Sequence, residues 1–372
     1  MSAWRLLRRY FLPSRSFGRY MAGLLTLRLL GLAFGVAAIL QMLDLVDASD
    51  AILAVDGNDG SDIWRYLSLR FPDLLSRFVP FSALLAVLLT LAQLNRNSEI
   101  VVMKAAGLSP HRILLPMGLV CAGVAVAHFL FDQRVVAPAK NELAYWQQYD
   151  YAADLPPAPD VLGEVWLVEK SSIIRVEAVS RTGNRVILDR VTLYERDEAG
   201  LVDTVVRADF AWYSDGQWTL FSVRSFDVST HRVTREDSRL WNLQVGPQRF
   251  FSLSVNPEHI GFARLYETVE QLGAEGLPTD ALKTALFQKI AGPAASLLMP
   301  LLGAIAGFGA HRRGQLVARV TLGMALGFSF FVTDNLLVAI GQVGAIPPLL
   351  AAFGPFALFA SLGFALLFVT EE

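Results

Sequence analysis

The residues able to do chemistry do not assemble into any catalytic pattern in this chain. There is no Gly-x-x-x-x-Gly-Lys-Ser/Thr to cradle a nucleotide, no His-Glu-x-x-His pair and no Gly-x-Ser-x-Gly turn. The five histidines (111, 128, 231, 259 and 311) are scattered, which gives a metal site little support. Val55–Asp62 looks like a calcium loop only superficially. Counted from Asp56, the fifth position is Gly60 and no matching glutamate follows, so a solvated turn is the better reading. Two polar pairs fall within apolar runs. His128 and Asp132, one turn apart, are expected to hydrogen-bond each other. Asp334-Asn335 is either a functional intramembrane acid or an interhelical hydrogen bond.

The polar stretch with the most pattern is Asn95–Arg112, NRNSEIVVMKAAGLSPHR, between two long apolar runs. Ser98 suits an N-cap and Glu99 the first turn that follows. Gly107 suits the C-terminal stop, and Ser109-Pro110 opens the next helix. Ile100, Met103 and Gly107 lie near one helical face, with Val101 and Ala105 beside them. The stretch reads as a short surface helix offering small residues to something outside the chain, or as a plain hairpin between two spans.

These islands are positioned by membrane segments. With 53% apolar and 18% charged residues and a net charge of −2, the 372-residue chain is neither disordered nor drawn to nucleic acid. Runs at Tyr20–Leu43, Phe71–Leu94, Ile113–Val136, Leu286–Phe308, Leu316–Ile340 and Leu349–Val369 are each long enough to cross a bilayer. Arg5, Arg8, Arg9, Arg15 and Arg19, then Arg96, Lys104 and Arg112, then Arg312 and Arg313 mark the cytoplasmic side. Aspartates 44, 47, 50, 56, 59 and 62 mark the other. Both termini are expected in the cytoplasm, with the insert outside, and no cleavable signal peptide is evident. Trp4–Phe11 suits a helix in the headgroup layer or a simple basic flank. The spacing Gly31-x-x-x-Gly35 allows a close helix approach in the first span. The lone Cys121 makes no intrachain disulfide, so the exported insert must rely on its own core.

The insert, 137–260, changes period. Ile174, Val176 and Ala178 alternate with charges, as do Val202 through Trp212. Gly183-Asn184, Glu198-Ala-Gly200 and Asp215-Gly216 mark turns. This predicts six or more antiparallel strands in a sandwich, jelly roll or barrel. Trp166, Phe210, Trp212, Trp218, Phe221 and Phe226 are mainly core candidates, and a few could line an apolar groove. Pro257–Gly273 reads as a helix leading to the last three spans. The expected fold is therefore an α-helical membrane protein of six spans: 1–136 with three, an inserted antiparallel β domain at 137–260, and 261–372 with a linker helix and three more.

Asn97–Ser109, Gly327–Asn335, Gly344–Pro348, Glu164–Leu167 and Trp212–Leu220 resemble the lipopolysaccharide export permease family LptF/LptG, and most nearly its LptG side. The resemblance covers nearly the whole chain and implies that the insert is a periplasmic β-jelly roll. It implies a permease subunit of an ABC transporter in the inner membrane of a Gram-negative bacterium, not itself an enzyme, that moves lipopolysaccharide towards the outer membrane. The implied partners are an LptF-like subunit, an LptB-like ATPase dimer that binds ATP and Mg, an LptC-like membrane protein and an LptA-like bridge. Asn97, Ser98, Glu99, Val102, Met103, Ala106 and Gly107 would form the ATPase-coupling helix. Phe34, Gln41, Asp44, Phe328, Phe331 and Asp334, with Trp212 and Phe221 of the insert, would lie on the lipid path.

One departure stands out. The resemblance leads us to expect lysines at the outer end of the first span, where this chain has Gln41, Asp44, Asp47 and Asp50. A lipid with less phosphate, bridging divalent cations, or charge from Arg65 and Arg70 would each accommodate it. Two other classes remain open on the residues: a membrane-anchored sensor or scaffold, and an ion-coupled transporter resting on Asp334.

Overall fold

The computed structural model describes residues 15–153, 165–169, 172–182, 185–197, 200–214, 216–243, 246, 250, 256–274, 278–307 and 315–371. The Trp4–Phe11 and Arg312–Arg313 readings lie outside these residues. The chain divides into two compact units. One draws on 1–54, 58–140 and 261–372, the other on 55–57 and 141–260.

The first unit is helical. Its elements are α1 (Arg15–Leu53), α2 (Gly60–Arg96), α3 (Glu99–Ala105), α4 (Pro110–Phe131), α5 (Ala137–Gln148, shared with the second unit), α6 (Phe262–Ala274), α7 (Asp280–Ala294), α8 (Met299–Gly307), α9 (Gln315–Gln342) and α10 (Pro348–Glu371). Six stretches are long and apolar enough to cross a membrane: Arg15–Leu53, Gly60–Arg96, Pro110–Gln148, Asp280–Ala304, Val317–Gln342 and Pro348–Ala365. The first three outrun the predicted apolar runs because nothing breaks the helix where the apolar residues end. After Leu43 there is no glycine or proline until Gly57, whose φ is +100°. The third stretch continues through a π-helical turn at Asp132–Val136. That wider turn lies just before Pro138, which has no N–H to donate and crowds the preceding turn.

The Val55–Asp62 turn has a mundane role. Asp59 caps α2 by accepting from the Ser61 N–H at 2.7 Å, while Asp62 accepts from the Asp59 N–H at 3.0 Å. At the other end of the chain, α9 closes on Gly344, φ +76°, with Ala345 N–H donating to the Ile340 carbonyl and Gly344 N–H to that of Gly341. This is the turn expected at Gly344–Pro348.

α2 forms the spine. Leu84, Val87, Leu88 and Leu91 are buried on it, with Met299 and Leu302 of α8 and Phe330 of α9 in the same core. Glycines make the room. A Cβ at Gly303 would overlap Val87, one at Gly327 would overlap Leu84, and one at Gly323 would come within 2.7 Å of Leu88. Membrane helices gain little from hydrophobic burial against one another, so contact of this kind supplies much of their packing. Gly31 and Gly35 do not share this role, since nothing lies within 4 Å of a Cβ built there.

The second unit is one antiparallel sheet: β1 (Val165–Glu169), β2 (Ser172–Thr182), β3 (Arg185–Arg196), β4 (Val202–Ser214), β5 (Gln217–Asp227) and β6 (Arg232–Trp241). The strands pair in chain order. The described strands are thus an up-and-down meander, without the crossover connections of a Greek-key jelly roll. One face is buried through Val176, Leu188, Val191, Val206, Ala211, Leu220 and Val223, and Phe250 closes on Trp218 with ring centres 5.2 Å apart. Alternation slips by one at Arg190 (φ 49°) and Ser222 (φ 56°), so that Leu188 and Val191, and Leu220 and Val223, all point inward.

Two outcomes follow. Gly303→Ala should cost about 1–3 kcal/mol, because β-branched Val87 cannot swing away. A thermal melt in detergent reads this, with Gly31→Ala as the neutral control. The Asp59 carboxyl is held below its usual value by the Ser61 hydroxyl and then by the Ser61 N–H. Its cap is therefore complete above about pH 4 and lost as pH falls through the lowered value. Amide exchange at Ser61 should quicken below that point in the wild type, and Asp59→Asn should abolish the pH dependence.

Candidate functional site

The α2–α4 connection carries the first group of candidates. α3 is only seven residues long, and too short a helix to persist without tertiary contacts. Ser98 occupies the N-cap position but is left-handed (φ 59°), and its side chain makes no capping bond. Glu99 orders the helix start instead. Its Oε1 accepts from Asn97 Nδ2 and its Oε2 from the Tyr20 hydroxyl of α1, both at 3.1 Å. At the far end, Leu108 N–H donates to the Met103 carbonyl and Gly107 N–H to that of Lys104, with Gly107 at φ +83°. This is the glycine stop expected from the sequence.

Of the residues assigned to coupling, Asn97, Ser98, Val102, Ala106 and Gly107 are exposed, while Glu99 and Met103 are half-buried. Ile100 is buried and Met103 packs partly against the core, because so short a helix must bury an apolar side to stay in place. The outward residues are Val101, Val102, Lys104, Ala105, Ala106 and Gly107, with Val102 two-thirds exposed. The first span is also tied to this end of α2, where Arg28 Nη2 donates to Gln93 Oε1 while Arg28 Nη1 is enclosed without a partner among the described residues. Sequence reading passed over Tyr20, Arg28 and Gln93. An arginine inside an apolar run was the available signal.

The second group lies on α1 and α9. These are the least enclosed spans, 22% and 17% buried against 61% for α2, so their apolar sides need a partner other than this chain's own helices. Phe34 is half exposed, with its ring 6.1 Å from Phe71. Phe328 is exposed, whereas Phe331 is half-buried against Phe81 and Phe330. Gln41 is buried, with neither amide atom paired among the described residues. Asp334 Oδ2 accepts from Gln288 Nε2 of α7 at 2.9 Å, which realises the interhelical bond.

Asp44 belongs to a charge network. It accepts from the Tyr66 hydroxyl at 2.5 Å and from both Nη2 (3.0 Å) and Nε (3.2 Å) of Arg70. Arg70 also reaches Asp73, 3.2 Å away, and Asp73 takes Lys140 at 2.9 Å and Arg77 at 3.5 Å. Arg70 is thus engaged by two carboxylates, and Arg77 is the cation of this network that stays mostly exposed. Asp73 was missed, although an acid three residues after Arg70 and four before Arg77 places all three on one face. The expected His128–Asp132 bond is not formed. His128 Nε2 pairs with Ser76 Oγ at 2.7 Å, and Asp132 meets Lys289 at 3.6 Å where the π-helical turn begins.

Trp212 and Phe221 lie on the sheet face opposite the buried core, in a cluster with Phe210 whose ring is 4.8 Å from that of Phe221. They do not line the interior, because their neighbours Ala211 and Leu220 do. Trp218 is a true core aromatic, and Phe226 is partly exposed. Among the described residues, no cluster of three or more metal-ligating side chains occurs.

Comparison with known proteins bears on this arrangement. Residues 19–368 match the family described as lipopolysaccharide export system permease LptF/LptG. The chain is 25% identical over 317 residues to the lipopolysaccharide export system permease protein LptG of Haemophilus influenzae, covering 82% of this chain and 85% of that one. It is 25% identical over 306 residues to the protein of the same name from Escherichia coli K12, covering 79% and 82%.

Removing Asp73 tests the charge network. Asp73→Ala leaves Lys140 and Arg70 facing each other in a half-enclosed site. It should destabilise the helical unit by about 3–5 kcal/mol, well beyond the effect of Arg77→Ala at the exposed edge. Unfolding in mixed micelles measures both.

Proposed function

Because the chain belongs to the lipopolysaccharide export permease family LptF/LptG, we propose that it is the LptG-like half of a two-permease conduit powered by a separate ATPase. The protein is a multi-pass inner-membrane transporter component that serves lipopolysaccharide export. In our reading both termini face the cytoplasm and the β unit the periplasm. ATP and Mg bind to an LptB-like dimer. An LptF-like subunit covers the open sides of α1 and α9. An LptC-like protein and an LptA-like bridge accept the lipid from the β unit.

The observation that supports this reading is the construction of α3. A seven-residue helix is anchored inward by Ile100, tied to α1 through Tyr20 and Glu99, and turned outward along Val101, Val102, Ala105 and Ala106. The outward side has small, apolar relief that a cleft in a soluble subunit can hold. The inward side passes a push to the first span, which borders the lipid. Asp44, with its charge met by Arg70 and Tyr66, serves as a structural acid rather than a lipid contact.

Glu99→Ala should leave the overall fold intact while lowering ATP-driven lipopolysaccharide release about tenfold or more, in line with the loss of a charged hydrogen bond of about 1.5–3 kcal/mol. Gly107→Leu, which forces a side chain onto the left-handed stop of α3, should lower release as well. Tyr20→Phe should keep the ATPase bound but reduce release per ATP hydrolysed. Reconstituted vesicles with parallel ATPase and release readouts decide it. Unchanged release in all three would refute the coupling role.

A further inference from the structure

The outer face of the β sheet carries a rank of cations that the core does not require. Across neighbouring strands, Arg175 of β2 pairs with Thr192 of β3, Thr192 with Arg207 of β4, Arg207 with Arg224 of β5, and Arg224 with Arg235 of β6. Directly opposed residues sit about 5 Å apart, so Arg207, Arg224 and Arg235 form an unbroken row of like charges. Like charges opposed across strands destabilise a sheet unless something of the other sign lies over them. Within the chain the compensation is thin. Arg224 meets Asp209 at 3.3 Å with both side chains exposed, and among the described residues no ion pair reaches Arg207 or Arg235.

Two residues further along, the same face carries an apolar rank. Ile173 pairs with Tyr194, Tyr194 with Val205, Val205 with Phe226, and Phe226 with Val233. Where the two ranks adjoin, the surface is hollowed into a cavity of about 340 Å³ lined by Val205, Arg207, Arg224, Ser225, Phe226 and Val233. Phe226 and Val233 are well exposed there for apolar side chains. A flat acidic protein surface would use the arginines and leave the hollow empty. An anion with an apolar or sugar body uses both, since guanidinium forks match phosphate oxygens bidentately and the ledge takes the body of the headgroup.

We propose that the arginine row of β4, β5 and β6, with the ledge of Val205, Phe226 and Val233, is a binding site for the phosphorylated sugar headgroup of an anionic glycolipid. The site lies on the sheet face opposite the apolar core, so it holds the headgroup and not the acyl chains. It rests on the export reading, under which lipopolysaccharide is the glycolipid that supplies it.

The test places a photocrosslinking amino acid at Val233, and separately at Phe34 of α1 as a control, in the full-length protein in native membranes. Adducts are identified by mass. Lipopolysaccharide adducts are expected at both positions. In Arg207→Gln/Arg224→Gln/Arg235→Gln the Val233 adduct should fall about tenfold with the Phe34 adduct unchanged, and the corresponding lysine triple variant should fall in between. Enzymatically dephosphorylated lipopolysaccharide should label Val233 as weakly as the glutamine variant does. Should the triple variant melt early, Arg207→Gln alone carries the comparison. A Phe34 adduct with none at Val233, or a Val233 adduct indifferent to the arginines, overturns the site and leaves the export reading standing. A phospholipid or protein adduct at Val233 also overturns it. No lipopolysaccharide at either position removes the export reading along with it.

Discussion

The helical unit depends on keeping a carboxylate out of water. Asp73 is almost fully enclosed within the second span, and an unpaired ion there would cost several kcal/mol. Three cations from two chain segments meet it: Arg70 and Arg77 on its own helix, and Lys140 in the last part of the third stretch. Because Arg70 also takes Asp44, the same network ties the C-terminal part of the first span to the second. Three chain segments are thus fixed at one level by charge, in a setting where apolar packing cannot fix their register.

Below that level the fixing is steric. Leu84, Val87 and Leu88 of α2 stand where a Cβ on Gly327, Gly303 or Gly323 would have to go, so the later spans can approach only at glycine. The first span takes no part in these glycine contacts and the fifth joins them only along its Gly323–Gly327 side, so both keep most of their apolar surface open. The unit thus has a closely packed centre and two flanks whose apolar sides its own helices leave open. Tyr20–Glu99 and Arg28–Gln93 then link the open first span to α3 and to the end of α2 that precedes it.

The β unit solves a different problem. A sheet buried on one face must keep its inward residues in step while it curves. Arg190 and Ser222 absorb the mismatch by adopting left-handed backbone, which switches the side that follows. The opposite face is thereby free to arrange charge and apolar residues in ranks, and the arginine row with its ledge results.

Much was legible in the sequence because the bilayer and the pleat each impose a simple period. Six apolar runs, a polar break at Asn95–Arg112, alternation through Val202–Trp212 and glycine stops at Gly107 and Gly344 are local signals, and local physics honours them. What the tertiary structure decided were the pairings. His128 chose Ser76 over Asp132, and Met103 turned inward. The close-approach glycines proved to be Gly303, Gly323 and Gly327 rather than Gly31 and Gly35. Trp212 fell on the outer face because alternation slips between the inward Ala208 and Ala211, and Phe221 because it follows the inward Leu220. Each outcome depends on which residue of a distant segment arrives at the same depth or register, and a one-dimensional period carries no information about that.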